Sequence, residues 1–132
     1  MIGIVIVAHG GLAREYVAAM EHVVGKQAGI TSVAIGADSD RAAKQIEINE
    51  AVASVDTGDG VVVVTDMFGG TPSNLAVNAC NAKNRAVIYG ANLPLLVKLA
   101  KARNNGLENA VRVALEAGHK YLNCTDKSVT NT

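Results

Sequence analysis

Ile2-Gly3-Ile4-Val5-Ile6-Val7-Ala8-His9-Gly10-Gly11 opens this chain, and Val61-Val62-Val63-Val64-Thr65-Asp66-Met67-Phe68-Gly69-Gly70-Thr71-Pro72 repeats its plan further along. Each stretch is an apolar, β-branched run closed by a pair of glycines, and each reads as a strand buried on both faces. The first ends on an imidazole and the second on a carboxylate.

Between and beyond these runs the hydrophobic period switches from two to that of a helix. Residues 12–24 place Leu12, Tyr16, Ala19, Met20, Val23 and Val24 on one helical face. Gly25 and Gly29 mark a turn before a second strand, Ile30 to Ile35. Asp38-Ser39-Asp40 offers caps for a helix over 41–55, with Ala42, Ile46, Asn49 and Val52–Ala53 at helical spacing. The cluster Asp56-Thr57-Gly58-Asp59-Gly60 is a turn before the Val61 run. A helix is predicted over 73–82, a fourth strand from Arg85 to Tyr89, helices over 94–103 and 107–118, and a short strand at Tyr121–Cys124. Strands alternating with helices imply a doubly wound α/β domain with a mainly parallel sheet. Residues 1–124 are expected to form one domain, with 125–132 as a polar tail.

Composition supports that class. Of 132 residues 49% are apolar but only 3% aromatic, so Val, Ile, Leu and Ala must build the core. Twelve basic residues balance twelve acidic ones, which argues against nucleic-acid or membrane-surface binding through bulk charge. Cys80 and Cys124 fit no zinc or redox spacing and read as reduced thiols of a cytoplasmic protein. The apolar N-terminus falls well short of the ~18 residues of a membrane span and has no signal-peptide flanks.

Right-handed crossovers leave few topologies for this element order, and a common one is 2-1-3-4. That order makes the first and third strands central neighbours about 4.8 Å apart, with a crevice beyond their carboxyl ends. His9 and Asp66 would meet there. Gly10 and Gly11 allow a close backbone approach to a ligand. In the second turn Thr71 reads as N-cap and Pro72 as first helical residue, leaving the N–H groups of Ser73 and Asn74 to face an anion. A carboxylate that fixes one imidazole nitrogen leaves the other as nucleophile. Histidine, aspartate and a phosphate cradle suggest a covalent phosphohistidine. Neither G-x-x-x-x-G-K-[ST] nor G-x-G-x-x-G occurs, and no acidic cluster marks a Mg²⁺ site, so no cofactor or metal is expected and the donor should be a phosphoprotein. His22 and His119 read as solvated or capping residues. Lys98, Lys101 and Arg103 read as a basic helical face.

Val7-Ala8-His9-Gly10, Thr65 through Asn74, and Gly90-Ala91-Asn92-Leu93-Pro94-Leu95-Leu96 together resemble the IIA component of the mannose-type phosphotransferase system. The resemblance covers essentially the whole chain. It implies a cytoplasmic phosphocarrier that accepts a phosphoryl group from phospho-HPr on Nε2 of His9 and passes it to a IIB component. It implies that Asp66 orients the ring through Nδ1, and that Gly10, Gly70, Thr71, Ser73 and Asn74 surround the phosphoryl group. Met67 and Phe68, the latter standing where some members have Trp, would form a partner-docking rim. The family's dimers exchange a C-terminal strand, which would give Tyr121–Cys124 a purpose. Members without transport functions act as phosphorylation-dependent regulators, and the phosphocarrier domain of dihydroxyacetone kinase systems shares the resemblance less closely. The sugar, if any, is not encoded here.

Overall fold

The computed structural model describes residues 1–126 and 128. Strands β1 (Gly3–His9), β2 (Ile30–Ile35), β3 (Val61–Thr65) and β4 (Arg85–Ile88) alternate with helices α1 (Leu12–Val24), α2 (Arg41–Val55), α3 (Gly70–Ala79), α4 (Leu93–Lys101) and α5 (Leu107–Lys120). The strands form one sheet in the order β2-β1-β3-β4, every pairing parallel. This is the order expected from the crossovers, and it sets β1 and β3 side by side at the centre.

Period-two alternation splits the core into two layers. Ile4, Ile6, Val62 and Val64 face α1, α4 and α5, where Met20, Leu96, Leu99 and Ala114 meet them. Val5, Val7, Val61 and Val63 face α2 and α3, against Ile48, Val52, Leu75 and Ala76. Burying each such Val or Ile contributes roughly 1.5–3 kcal/mol. Gly3 is required by this packing, since a Cβ there would collide with the Val55 carbonyl at the end of α2.

Several predicted details shift. Leu12 and Val23 are exposed, and the inward face of α1 is made by Ala13 and Met20 with Tyr16, Val17 and Val24. On α2 the buried face is Ile48, Val52 and Val55, while Ile46 is 58% exposed. Helix α3 starts at Gly70, three residues before the expected start, and ends at Ala79. The predicted fifth strand is absent from this chain's sheet: α5 runs on to Lys120, and Tyr121–Cys124 follows it as exposed, non-strand backbone. Of the expected polar tail, residues 127 and 129–132 lie outside the described residues.

Arg103 is the largest correction. It lies beyond the end of α4 and is buried rather than part of a basic face, at 2% exposure. Its Nε donates to Ile2 O (2.8 Å), Nη1 to Ala28 O (2.6 Å) and Nη2 to Gly29 O (3.0 Å). One guanidinium thereby gathers the start of β1 and the turn before β2 at the sheet edge opposite His9.

Candidate active site

β1 and β3 end together at the carboxyl edge of the sheet, and the register Val7↔Thr65 brings His9 beside the turn that begins at Asp66. The main-chain N–H of His9 donates to Asp66 Oδ2 at 3.0 Å, and His9 Nδ1 lies 2.8 Å from the same oxygen. The second carboxylate oxygen, Oδ1, accepts the N–H of Met67 at 3.0 Å. The Asp66 side chain is only 9% exposed, whereas that of His9 is 51% exposed. Burial works to raise the Asp66 pKa, but the two His9 hydrogen bonds and the His9 charge outweigh it and hold the carboxyl below its ordinary value.

An ionised carboxylate only accepts hydrogen bonds, so the short Nδ1 contact requires the proton on Nδ1. In the neutral imidazole Nε2 then carries the lone pair. That nitrogen faces Gly70: a Cβ built there would sit 3.9 Å from it. Gly69 and Gly70 hold φ of 86° and 77°, left-handed values that favour glycine, as the chain turns into α3.

The helix termini at this edge differ in a telling way. α2 and α4 are capped by side chains, Asp40 accepting from Ala42 and Ala43 and Asn92 accepting from Leu95. α1 and α3, which follow His9 and Asp66 directly, have glycine N-caps and no side-chain cap. Their first-turn N–H groups are not claimed by a side chain, and the positive ends of two helix dipoles flank the imidazole.

The remaining expected site residues fall as follows. Gly10 adopts φ 57° and donates its N–H to Ile35 O at 2.9 Å, so its amide is committed to the sheet. Thr71 is not the N-cap; it lies within the first turn, half-buried, because α3 begins one residue earlier. With α3 starting at Gly70, Gly70 and Thr71 lie in its first turn, where main-chain N–H groups have no intrahelical acceptor. Ser73 is buried and Asn74 exposed. Met67 and Phe68 are 56% and 77% exposed beside His9, and the Phe68 ring stands edge-on to Tyr89 with centroids 5.0 Å apart. His22 is solvent-exposed, as read from its helix position, and His119 lies exposed in the last turn of α5. Among the described residues no cluster of metal-ligating side chains occurs, and no helix is long and apolar enough to cross a membrane.

Sequence reasoning missed two tyrosines. Tyr89 supports the rim through Phe68, and Tyr16 on α1 donates its hydroxyl to Ala91 O at 3.1 Å. A tyrosine on an otherwise apolar helical face was the available signal, because a buried phenol needs a partner.

Comparison with known proteins bears on the family and the fold. Over 122 residues the chain is 29% identical to the PTS system mannose-specific EIIAB component of Escherichia coli (strain K12), covering 90% of this chain and 38% of that protein. The proteins of Escherichia coli O157:H7 and Shigella flexneri match equally. The chain thus spans 38% of the length of these relatives. The phosphotransferase component EIIA of Streptococcus agalactiae superposes with a TM-score of 0.83 at 23% identity, covering 98% of this chain and 100% of that one. The mannose/sorbose-specific IIA subunit of Enterococcus faecalis gives 0.83 at 22% identity, with 94% of each chain covered. At those identities the agreement is one of fold. The model of the family described as the PTS system fructose IIA component matches residues 3–115, and the chain belongs to this phosphotransferase-system IIA family, of the mannose type.

Proposed function

We propose that this protein is a phosphohistidine carrier: Nε2 of His9 accepts a phosphoryl group from phospho-HPr and passes it to a IIB protein or domain. The observation that carries the reading is the 2.8 Å contact between His9 Nδ1 and Asp66 Oδ2. It fixes a proton on Nδ1, so that the neutral ring presents Nε2 as the nucleophile. In the transfer, the Nε2 lone pair forms the new N–P bond as the bond from phosphorus to the donor's imidazole breaks. The Nδ1 proton stays with His9, and Asp66 balances the positive charge that phosphorylation places on the ring. Gly70 and Thr71 supply main-chain donors for the phosphoryl oxygens. Gly10, Ser73 and Asn74 shape the turns around them. Catalysis on this reading is positioning and electrostatics.

Met67 and Phe68 form the rim on which both partner proteins dock. A homodimer accords with two features: β4 is an edge strand, and Tyr121 and Leu122 lie 65% and 81% exposed just beyond α5. A strand contributed by Tyr121–Cys124 of a second copy would cover that edge. Residues 1–124 are the functional domain, and its place of work is the cytoplasm.

The test is incubation with phosphoenolpyruvate, enzyme I and HPr, followed by intact-mass measurement. Wild type should gain one acid-labile phosphoryl group and His9→Ala none. An unmodified wild-type chain under conditions where HPr is phosphorylated overturns the reading.

A further inference from the structure

We propose that Tyr16 is a positioning residue for the His9–Asp66 pair, tying the helix that follows His9 to the strand that carries Asp66. The link runs through the main chain of a single residue, Ala91. Tyr16 Oη donates to the carbonyl of Ala91 at 3.1 Å, across 75 residues of sequence. The N–H of Ala91 donates in turn to Thr65 O at 3.0 Å. Thr65 is fully buried, immediately precedes Asp66, and bonds its own hydroxyl to Met67 O at 3.3 Å. The loop between β4 and α4 is therefore clamped on one side by α1 and on the other by the end of β3.

Apolar packing alone does not account for this arrangement. A leucine at position 16 would fill the half-buried space between α1 and the core but would leave the Ala91 carbonyl without the phenol. The phenol is a dependable donor, because burial and then the nearby Asp66 charge push its pKa above the usual tyrosine value. Asp66 cannot shift without loosening its bonds to His9, since its Oδ2 takes both the main-chain and ring N–H groups of that residue. Small movements of α1 against β3 thus bear directly on the tautomer of His9. This assignment rests on the phosphocarrier reading for its catalytic consequence, but its structural half is measurable without any phosphoryl transfer.

The experiment compares wild type, Tyr16→Phe and Val24→Ala. Val24→Ala trims the last residue of the same helix, packed on the same core, and serves as a control for general loosening. In the unphosphorylated proteins, ¹⁵N imidazole NMR should show His9 held as the Nδ1–H tautomer in wild type and Val24→Ala. In Tyr16→Phe a resolvable share of Nε2–H should appear. Phosphoryl transfer from phospho-HPr should slow roughly three- to tenfold in Tyr16→Phe, the effect of one net hydrogen bond, with half-saturation by the donor unchanged. If Tyr16→Phe lowers the melting temperature but leaves tautomer and rate as in Val24→Ala, the assignment is overturned. If no variant, wild type included, takes up a phosphoryl group, the phosphocarrier reading fails while the tautomer comparison still decides the role of Tyr16.

Discussion

One oxygen of Asp66 holds both N–H groups of His9, the main chain at 3.0 Å and the ring at 2.8 Å. The main-chain bond fixes where the carboxylate sits relative to the end of β1, and the ring bond then fixes which imidazole nitrogen is free. Two weak constraints act on one atom, so the ring is oriented by the strand itself. Replacing Asp66 by Asn keeps the shape but removes the charge and lets the amide present its NH₂ to the ring. Asp66→Asn is expected to retain the fold, to populate the Nε2–H tautomer, and to slow phosphoryl transfer by at least roughly 10²-fold, the usual scale of a lost oriented acid–base partner. Single-turnover transfer from phospho-HPr measures this, and a rate within about threefold of wild type, on the scale of one net hydrogen bond, would refute it.

The same pair has a signature in acid stability. The Asp66 carboxyl is held below its ordinary value in the folded protein by the His9 bonds, against the opposing effect of burial. A depressed folded pKa means stability that is fully present above the unfolded value of about 3.9 and lost as pH falls through the folded one. Wild type should therefore lose more stability than Asp66→Asn on going from pH 5 to pH 3. Urea midpoints at the two pH values provide the comparison, and parallel losses in the two proteins would contradict it.

Gly70 joins fold and chemistry at one position. Its φ of 77° suits glycine, and a side chain there would point at His9 Nε2 from 3.9 Å. Gly70→Ala is expected to cost roughly 1–2 kcal/mol of stability, the price of a left-handed alanine. It should also hinder phosphorylation of His9 more than a loss of that size explains, because the methyl group occupies the approach to Nε2. Gly58→Ala, at another positive φ with open space around it, supplies the control for strain alone. Equal phosphorylation rates in the two variants would remove Gly70 from the site.

The places where the sequence was readable and where it was not divide along physical lines. Strands such as Val61–Thr65 were legible because every residue is apolar and glycine-bearing turns bound them, and their parallel order followed from crossover handedness. His9 and Asp66 were legible because both end central strands. The start of α3 was missed because Gly69-Gly70 reads as a turn, whereas Gly70 already lies in the helix with a positive φ. Ile46 was placed inward because α2 has apolar residues on two sides, and only packing against Val5 and Val63 selects Ile48 and Val52. The acceptors of Arg103 and Tyr16 were out of reach because they lie 74–101 and 75 residues away. No local pattern announces a main-chain carbonyl as a partner.

Arg103 shows how such a distant contact can be tested apart from the site. Its guanidinium satisfies the carbonyls of Ile2, Ala28 and Gly29 from a position with 2% exposure. Arg103→Met keeps much of the volume but removes the donor to all three carbonyls; Gly29 O still accepts the Ile4 N–H, and a buried acceptor left unsatisfied typically costs about 1–3 kcal/mol. The expected result is a lowered urea midpoint with the His9 tautomer unchanged, since the lock lies at the opposite edge of the sheet. A midpoint within error of wild type would show that water replaces the guanidinium at no cost.

Phe68 presents the reverse case, a large apolar side chain that the fold does not need. It is 77% exposed, and its main ring contact is the edge-on approach to Tyr89. Aromatic pairs of this kind contribute about 0.5–1.5 kcal/mol, less where solvent reaches one ring. Truncation in Phe68→Ala should therefore shift stability by no more than roughly 1 kcal/mol. If the rim docks a partner, removing its most protruding apolar group should raise the half-saturation concentration for phospho-HPr several-fold while leaving the rate at saturating donor nearly intact, since uniform binding is lost and the attacking nitrogen is untouched. Tyr89→Leu, which withdraws the support but keeps Phe68, should give a smaller change in the same direction. A loss confined to the saturated rate would instead place Phe68 in the transfer step and refute its role as a docking residue.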